Sequence, residues 1–470
     1  MEYNTLFSPM KIGKLEVKNR IVMAPMGVDV SNHDGSTSEK TVAYYRERAK
    51  GGVGLIITEY TRINEKDGVV APSQLSMSAD RYIKPFQKVV DAVHVEGSKI
   101  FVQLHHPGRQ NVVLFSSLWS MNEKLAKMIP GYWDRFFSVI GDSNPDSLSD
   151  PKMIRMMNKY MKPLRAPSNV PAGLGESVFG NQKIKPFTTE EIHTLIGQFV
   201  KAAKRVQRSG ADGVELHAAH GYLLQQFLSP YTNLRTDEYG GSFENRLRIM
   251  KELIEGIHRE CGSDFPVSVR LTVDEFYEMI GYPEIGLHLE DGVKIAKALE
   301  SYGANAIDAS AGNSDTQFVI NEPISFQPGW RKHMSKAVKD AVSIPVISVN
   351  MIRTPEQAEE LLLEGVQDFV SLARPLLVDP DWAVKAQRGE SKSIQRCIGC
   401  LYCMESTERN MSKGLPVECS LNPRISKESS ISKIGRENGQ GKQIVIIGAG
   451  PAGLTAAREL AARKLQSNCT

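Results

Sequence analysis

From residue 21 to about 389, short β-branched runs alternate with longer amphipathic stretches, the pattern of successive βα units around a parallel sheet. Eight units can be counted, with strands expected at Ile21–Ala24, Val53–Thr58, Ile100–Leu104, Gly213–Leu216, Val267–Leu271, Ala306–Ala309, Pro345–Val349 and Phe369–Leu372. Helical sequence follows each, and TPEQAEELLLEG opens with a Thr that can cap and a Pro at the first helical position. Eight units in order predict an α/β fold of the (β/α)8 TIM-barrel class. An open doubly wound sheet would usually place a Gly-rich phosphate turn after its first strand, where this chain reads APMGVDV. LFSPMKIG and LEVKNR, which precede Ile21, suit a hairpin closing the barrel floor. Catalytic groups of such a barrel are expected at the C-terminal strand ends and in the loops after them.

The third such loop, residues 107–187, far exceeds an ordinary βα connection. Its apolar stretches Phe115–Ile140 and Lys152–Met161 carry Met121, Met128, Met153, Met156, Met157 and Met161. They suit either a lid over a bulky hydrophobic substrate or packing on the rim or between subunits. Residues 1–389 thus form the barrel, 390–424 a cysteine-bearing segment, 425–442 a polar linker, and 443–470 the start of a further domain.

Composition narrows the function. The 57 Lys+Arg nearly balance 54 Asp+Glu, with no dense basic tract, so nucleic acid is not expected as a partner. No membrane span or signal peptide is apparent, and a cytoplasmic location is expected. A homo-oligomer stays open. Six cysteines are too few for a disulfide scaffold, but Cys397, Cys400, Cys403 and Cys419 cluster as a metal site would.

The stretch GVELHAAHGYLLQQFLSPYTNLRTDEYGGSFENRLR, residues 213–248, puts His217, His220 and Tyr222 just past the fourth strand. Reducing a C=C bond conjugated to a carbonyl needs hydrogen-bond donors on the oxygen and an acid for the α-carbon. The two histidines fit the first role and the tyrosine the second. Taken in isolation, His-x-x-His is equally an ordinary polar rim pair or part of a metal site, although no HExxH frame accompanies it. With NRIVMAPM at 19–26 and VQLHHPGR at 102–109, this stretch resembles the old yellow enzyme family over the whole barrel. The resemblance implies bound FMN, NAD(P)H as electron donor, His217 and His220 on the substrate carbonyl, and Tyr222 as proton donor.

FMN needs an apolar slot, polar groups on its pyrimidine edge, a cation near N1 and amides for its phosphate. Candidates are Pro25 and Met26 after strand one, Glu59 after strand two, Gln103 on strand three and Arg270 on strand five. Arg270 interrupts the apolar run VSVRLT, and its partner is expected to be either the reduced flavin or a carboxylate within the barrel. The phosphate is expected at the loops after strands seven and eight, on amides of Asn350, Met351, Ala373 and Arg374 with the Arg374 guanidinium. Gly27 departs from relatives that place Cys or Thr beside the flavin.

The spacing Cys-x2-Cys-x2-Cys-x15-Cys suits an iron–sulfur cluster or zinc about equally. Its place after a flavin barrel resembles larger members of the family, such as 2,4-dienoyl-CoA reductase, trimethylamine dehydrogenase and the bile-acid enoate reductases, which implies a 4Fe-4S cluster. Gly448, Gly450 and Gly453 follow the strand IVIIG as a dinucleotide fingerprint. With so little chain after them, one βα unit cannot enclose FAD, so residues 443–470 are expected to be a truncated domain lacking FAD, mobile or irregularly docked. The expected activity is an ene reductase acting on a hydrophobic enone or enoate, a 3-oxo-4-ene steroid or bile acid first, with cinnamate-like acids next. The alternatives are an electron-transfer subunit without its own substrate and an amine dehydrogenase.

Overall fold

The computed structural model describes residues 2–71, 73–111, 125–126, 128–141, 162–174, 182–411, 413–431 and 441–469. Its barrel strands are β1 (Ile21–Met23), β2 (Leu55–Ile57), β3 (Lys99–His105), β4 (Gly213–Ala218), β5 (Val267–Asp274), β6 (Ala306–Ala311), β7 (Val346–Ser348) and β8 (Phe369–Leu372). Each pairs in parallel with the next, and β8 returns to β1, so the eight strands close. All eight positions match the sequence expectation, with shifted ends. β5 runs beyond the apolar run because Thr272 and Asp274 continue the ladder against Ser310 and Ala311 of β6.

Helices α1 (Glu39–Lys50), α2 (Ile83–His94), α3 (Thr189–Arg208), α4 (Phe243–Cys261), α5 (Leu289–Ser301), α6 (Lys332–Ala341) and α7 (Pro355–Leu363) cover the outside. Their starts follow the chain's polar punctuation. Thr188 and Glu191 form a capping box on α3, Ser242 caps α4, and Thr354 caps α7 with Pro355 behind it. α5 sits flush on β5 only because residue 292 is glycine, since a Cβ there would lie 2.1 Å from the Val273 carbonyl oxygen.

The floor hairpin is present, Met10–Ile12 pairing antiparallel with Leu15–Val17. Ile12 and Val17 plug the lower end of the barrel against Val22, Leu55, Ile57, Phe101, Ala306, Ile347 and Phe369. At the other end, the described part of the third loop holds a helix at Tyr132–Gly141 and a parallel pair, Leu164–Ala166 with Ile184–Pro186. The Trp133 ring lies 5.6 Å from His33 in the loop after β1, so this helix reaches over the catalytic face. Met128 is exposed, and Met121, Met153, Met156, Met157 and Met161 lie outside the described residues.

Two expectations about the C-terminal part need correction. The polar stretch from residue 425 does not begin as a free linker. Ile425 and Ser426 are buried, and Glu428 forms a 2.6 Å ion pair with the fully buried Arg48 of α1. A buried guanidinium without a carboxylate would be costly, which is what holds this stretch down. The tail is also regular. Gln443–Ile446 and Gln466–Cys469 pair in parallel around a helix at Pro451–Ala462, a βαβ unit with a second strand that the expected single βα unit lacks. Gly448 adopts φ +104°, and a Cβ on Gly453 would lie 1.8 Å from the Gly448 oxygen, so helix and turn touch through glycine as the fingerprint requires.

Candidate functional site

Strand alternation sends every second residue into the barrel, and toward the C-terminal ends of β3 to β6 these inward residues are polar. They include Gln103 and His105, Glu215 and His217, Arg270 and Thr272, and Asp308 and Ser310. The deeper layer is knitted together. Gln103 Nε2 donates to Glu215 Oε1 at 2.9 Å, Ser268 Oγ donates to Glu215 Oε2 at 3.2 Å, and Arg270 lies 3.6 Å from Asp308. Arg270 therefore has a carboxylate partner within the barrel, while its Nε and both Asp308 oxygens make no hydrogen bond. Burial, and next the nearby Asp308, push the Glu215 carboxyl up to about 8, and burial raises Asp308 against the pull of Arg270.

Above this layer the expected catalytic residues come together. The His217 ring is 5.2 Å from His220 and 5.0 Å from Tyr222 between centroids. Their placement depends on a tight turn in which His220 and Gly221 take successive left-handed conformations, φ +62° and +78°. For a histidine this backbone is strained by about 1–3 kcal/mol. It is held by the His220 N–H on Thr272 Oγ1 at 3.0 Å and by His220 Nε2 against Ser310 Oγ at 2.7 Å. The turn folds the chain back so that Tyr222 caps the short helix Leu223–Leu228 over the strand ends.

A third imidazole belongs to the group. His105 stands edge-on to Tyr222 at 4.4 Å and 5.6 Å from His217, and its Nε2 has no hydrogen-bond partner. The reading from sequence singled out Gln103 and passed over His105, although the two-residue period of a strand puts both on one face. Burial drives all three imidazoles well below the ordinary histidine range, so they are neutral. Burial also raises the Tyr222 hydroxyl to about 12, so it keeps its proton across physiological pH.

Pro25, Met26 and Gly27 follow β1 as expected and keep part of their surface open. Gly27 has a steric reason: a Cβ there would lie 2.5 Å from the Tyr60 ring, which stands over it and 5.3 Å from His105. Tyr60 was not expected. Glu59 is wholly buried, with Oε2 accepting from the Val28 N–H at 3.1 Å and Oε1 unpaired. Burial and the adjacent Asp29 carboxylate raise Glu59 to about 8. Asn350 turns its side chain away from the cleft, donating to Gln367 Oε1 at 2.6 Å, while Met351 takes φ +51°. Arg374 follows Ala373 at the end of β8. Its guanidinium donates to the Glu322 carbonyl oxygen at 2.8 Å and lies 3.3 Å from the Glu322 carboxylate, which also binds the buried Arg331 at 3.0 Å. Arg331 and Glu322 were invisible to motif reading because their pairing is long-range.

Unpaired buried atoms at the mouth (Glu59 Oε1, His217 Nδ1, Arg270 Nε) beside a glycine under an aromatic ring fit a planar cofactor with polar edges. Cys397, Cys400, Cys403 and Cys419 line one cavity together with Arg374, Leu377, Val378, Leu401 and Leu421. Four thiols around one cavity have the chemistry of a metal centre, although no three of their Sγ atoms lie within 4.8 Å of one another here, and Arg374 sets the cavity against the loop after β8. Burial pushes the Cys403 thiol up to about 11, with Arg374 pulling the other way. Among the described residues no helix is long and apolar enough to cross a membrane.

Known proteins resemble this chain over nearly its whole length. NADH oxidase of Thermoanaerobacter brockii is 38% identical over 98% of this chain and 62% of its own length. Cinnamate reductase of Clostridium sporogenes is 32% identical over 98% of this chain and 64% of its own. A solved 2-naphthoyl-CoA reductase complex superposes with a TM-score of 0.80 at 26% identity, covering 98% of this chain and 64% of that one. The chain thus spans about three-fifths of the length of these relatives. The model of the NADH:flavin oxidoreductase / NADH oxidase family matches residues 5–116 and 151–393, which takes in every barrel strand and the histidine–tyrosine turn, and the chain belongs to that family.

Proposed function

We propose that this chain is a flavin-dependent ene reductase, reducing the C=C bond of an α,β-unsaturated carbonyl compound with electrons from NAD(P)H. The observation that carries this is the gathering of Tyr222 with the histidines at the strand ends: its ring stands 4.4 Å from His105 and 5.0 Å from His217, which lies 5.2 Å from His220. A phenol beside two imidazoles supplies a proton donor next to hydrogen-bond donors for a carbonyl oxygen, the set that alkene reduction needs.

Pro25, Met26, Gly27, Glu59, Gln103 and Arg270 would hold the flavin ring of FMN and Asn350, Met351, Ala373 and Arg374 its phosphate, and FMN would supply the hydride for the β-carbon. The chain's own residues do the rest. His217 and His220 hold the carbonyl oxygen where enolate charge develops, with Ser310 on Nε2 orienting His220. Tyr222 gives its proton to the α-carbon. Because the imidazoles are neutral, they stabilise the developing charge by hydrogen bonding without themselves surrendering a proton. The four thiols suit a 4Fe-4S cluster, which would carry single electrons toward the loop after β8; iron and acid-labile sulfide in the purified protein support it, and zinc in their place rejects it.

The steroid expectation rests on the wording QLHHPGRQ at 103–110 and on the Met-rich segment, most of which lies outside the described residues. The relative named cinnamate reductase favours an aryl enoate. The test is anaerobic: protein reduced with dithionite is mixed with enones, enoates and steroids, and flavin reoxidation is followed at its visible band. Reoxidation by activated alkenes supports the reading. Bleaching of the oxidised protein by methylated amines, with no response to alkenes, overturns it.

A further inference from the structure

Beside the catalytic turn lies a second cavity, of about 160 Å³, with a lining unlike the first. It is walled by Lys66 and Asp67 from the loop after β2, Gly108 from the loop after β3, and Lys162, Arg165 and Lys185 from the long loop, the last two on its paired strands. Two of these segments thus bring four cations to one concave site. Among the described residues the facing carboxylates are Asp67, held by His106 Nε2 at 3.2 Å, and Glu191, which pairs with Arg165. The Arg165 side chain is only 11% exposed and lies over the Phe187 ring, and its buried Nε has no acceptor.

The cavity is tied to the reacting end by short steps. His106, which holds Asp67, follows His105, the ring against Tyr222. The His106 carbonyl oxygen accepts from the Leu223 N–H at 3.1 Å, the residue after Tyr222. His106 thus joins the cavity wall to the segment that carries Tyr222.

We infer that this cavity is an anion site that grips the phosphate-bearing tail of a molecule whose reactive end lies at Tyr222. A concave group of cations from different segments, with an unsatisfied guanidinium donor in its wall, matches phosphate oxygens better than solvent does. Two molecules used in the proposed reaction could carry such a tail, a nucleotide thioester of the unsaturated acid and the phosphorylated nicotinamide donor. The inference rests on the ene-reductase reading for its reactive end, and the test separates the two.

The variant is Lys66→Glu with Lys185→Glu, both exposed and neither part of the catalytic group. Inorganic pyrophosphate is titrated calorimetrically into the native protein and the variant, a readout that needs no turnover. Steady-state rates are measured with an enoyl-CoA, with the matching simple thioester lacking the nucleotide, and with NADPH against NADH. We expect pyrophosphate binding that weakens with salt and is lost in the variant. KM for one phosphate-bearing ligand should rise about tenfold or more, with kcat and the simple thioester unchanged. A rise confined to enoyl-CoA identifies the substrate tail, and one confined to NADPH identifies the donor. Equal pyrophosphate binding by both proteins, or equal losses with the simple thioester, overturns the site. If the native protein reduces no alkene yet binds pyrophosphate through these lysines, the anion site stands and the ene-reductase reading falls.

Discussion

The two ends of the barrel are built from the same eight strands and have opposite interiors. At the floor, Phe101 of β3, Leu55 and Ile57 of β2 and Phe369 of β8 close on the hairpin residues Ile12 and Val17 without a polar side chain among them. Two and four residues further along β3, the same inward face carries Gln103 and His105, and β4 to β6 turn polar at the same level. The strands themselves run unbroken from one end to the other. Side-chain choice makes one a plug and the other a workplace, so damage at the floor should appear as lost stability and damage at the mouth as lost chemistry.

The largest expected effect is at the mouth. Tyr222→Phe removes the proton donor and should lower alkene reduction by about 10²–10⁴-fold while the flavin is still reduced by dithionite; stopped-flow reoxidation checks it, and an unchanged rate removes Tyr222 from the mechanism. Next is the floor. Phe101→Ala should cost about 3–5 kcal/mol of stability in a denaturant titration, with the rate per folded molecule retained. Loss of rate without loss of stability would abolish the division between the ends. Between them, Asp308→Asn should destabilise by a smaller amount, on the order of 1–3 kcal/mol, because Glu215 loses a repelling neighbour and can take over as counter-ion to Arg270. A variant as unstable as the floor mutant would show that Glu215 does not compensate.

The smallest effect is in the pH dependence of stability. His105, His217 and His220 titrate well below the ordinary 6.5 when folded, so the stability from keeping them neutral is full above pH 6.5 and declines as pH falls below it. Glu59 and Glu215, raised from 4.5 to about 8, act oppositely, their contribution declining as pH rises through that interval. The useful quantity is therefore a difference. His105→Asn should flatten the loss of unfolding free energy below pH 6.5, measured by denaturant titration, by at most about 1.4 kcal/mol per pH unit, and leave the profile above it parallel to the native one. An identical acid slope would mean that His105 is already charged in the folded protein.

Much of this was legible in the chain. The eight strands, the floor hairpin, the Thr354–Pro355 helix start and the turn carrying His217, His220 and Tyr222 rest on local pattern, and local pattern survives folding. Spacing alone suggested that the four cysteines share a site, and they line one cavity. What escaped depends on partners far apart in sequence: Asp308 beside Arg270, Glu322 between Arg331 and Arg374, Glu428 under Arg48, and Tyr60 over Gly27. His105 is a different case. It lay within a motif already noticed, and strand periodicity applied to Gln103 would have found it. The anion cavity was hidden because Lys66 and Lys185 lie more than a hundred positions apart and no stretch of the sequence is densely basic.

Arg374 links two sites treated separately above. Its guanidinium borders the cysteine cavity and rises from the loop expected to hold the cofactor phosphate, with Glu322 fixing its position. Were a cluster held by the cysteines and a flavin at the barrel mouth, this one cation would lie in the field of both. Replacing Arg374 would then shift both midpoint potentials rather than one.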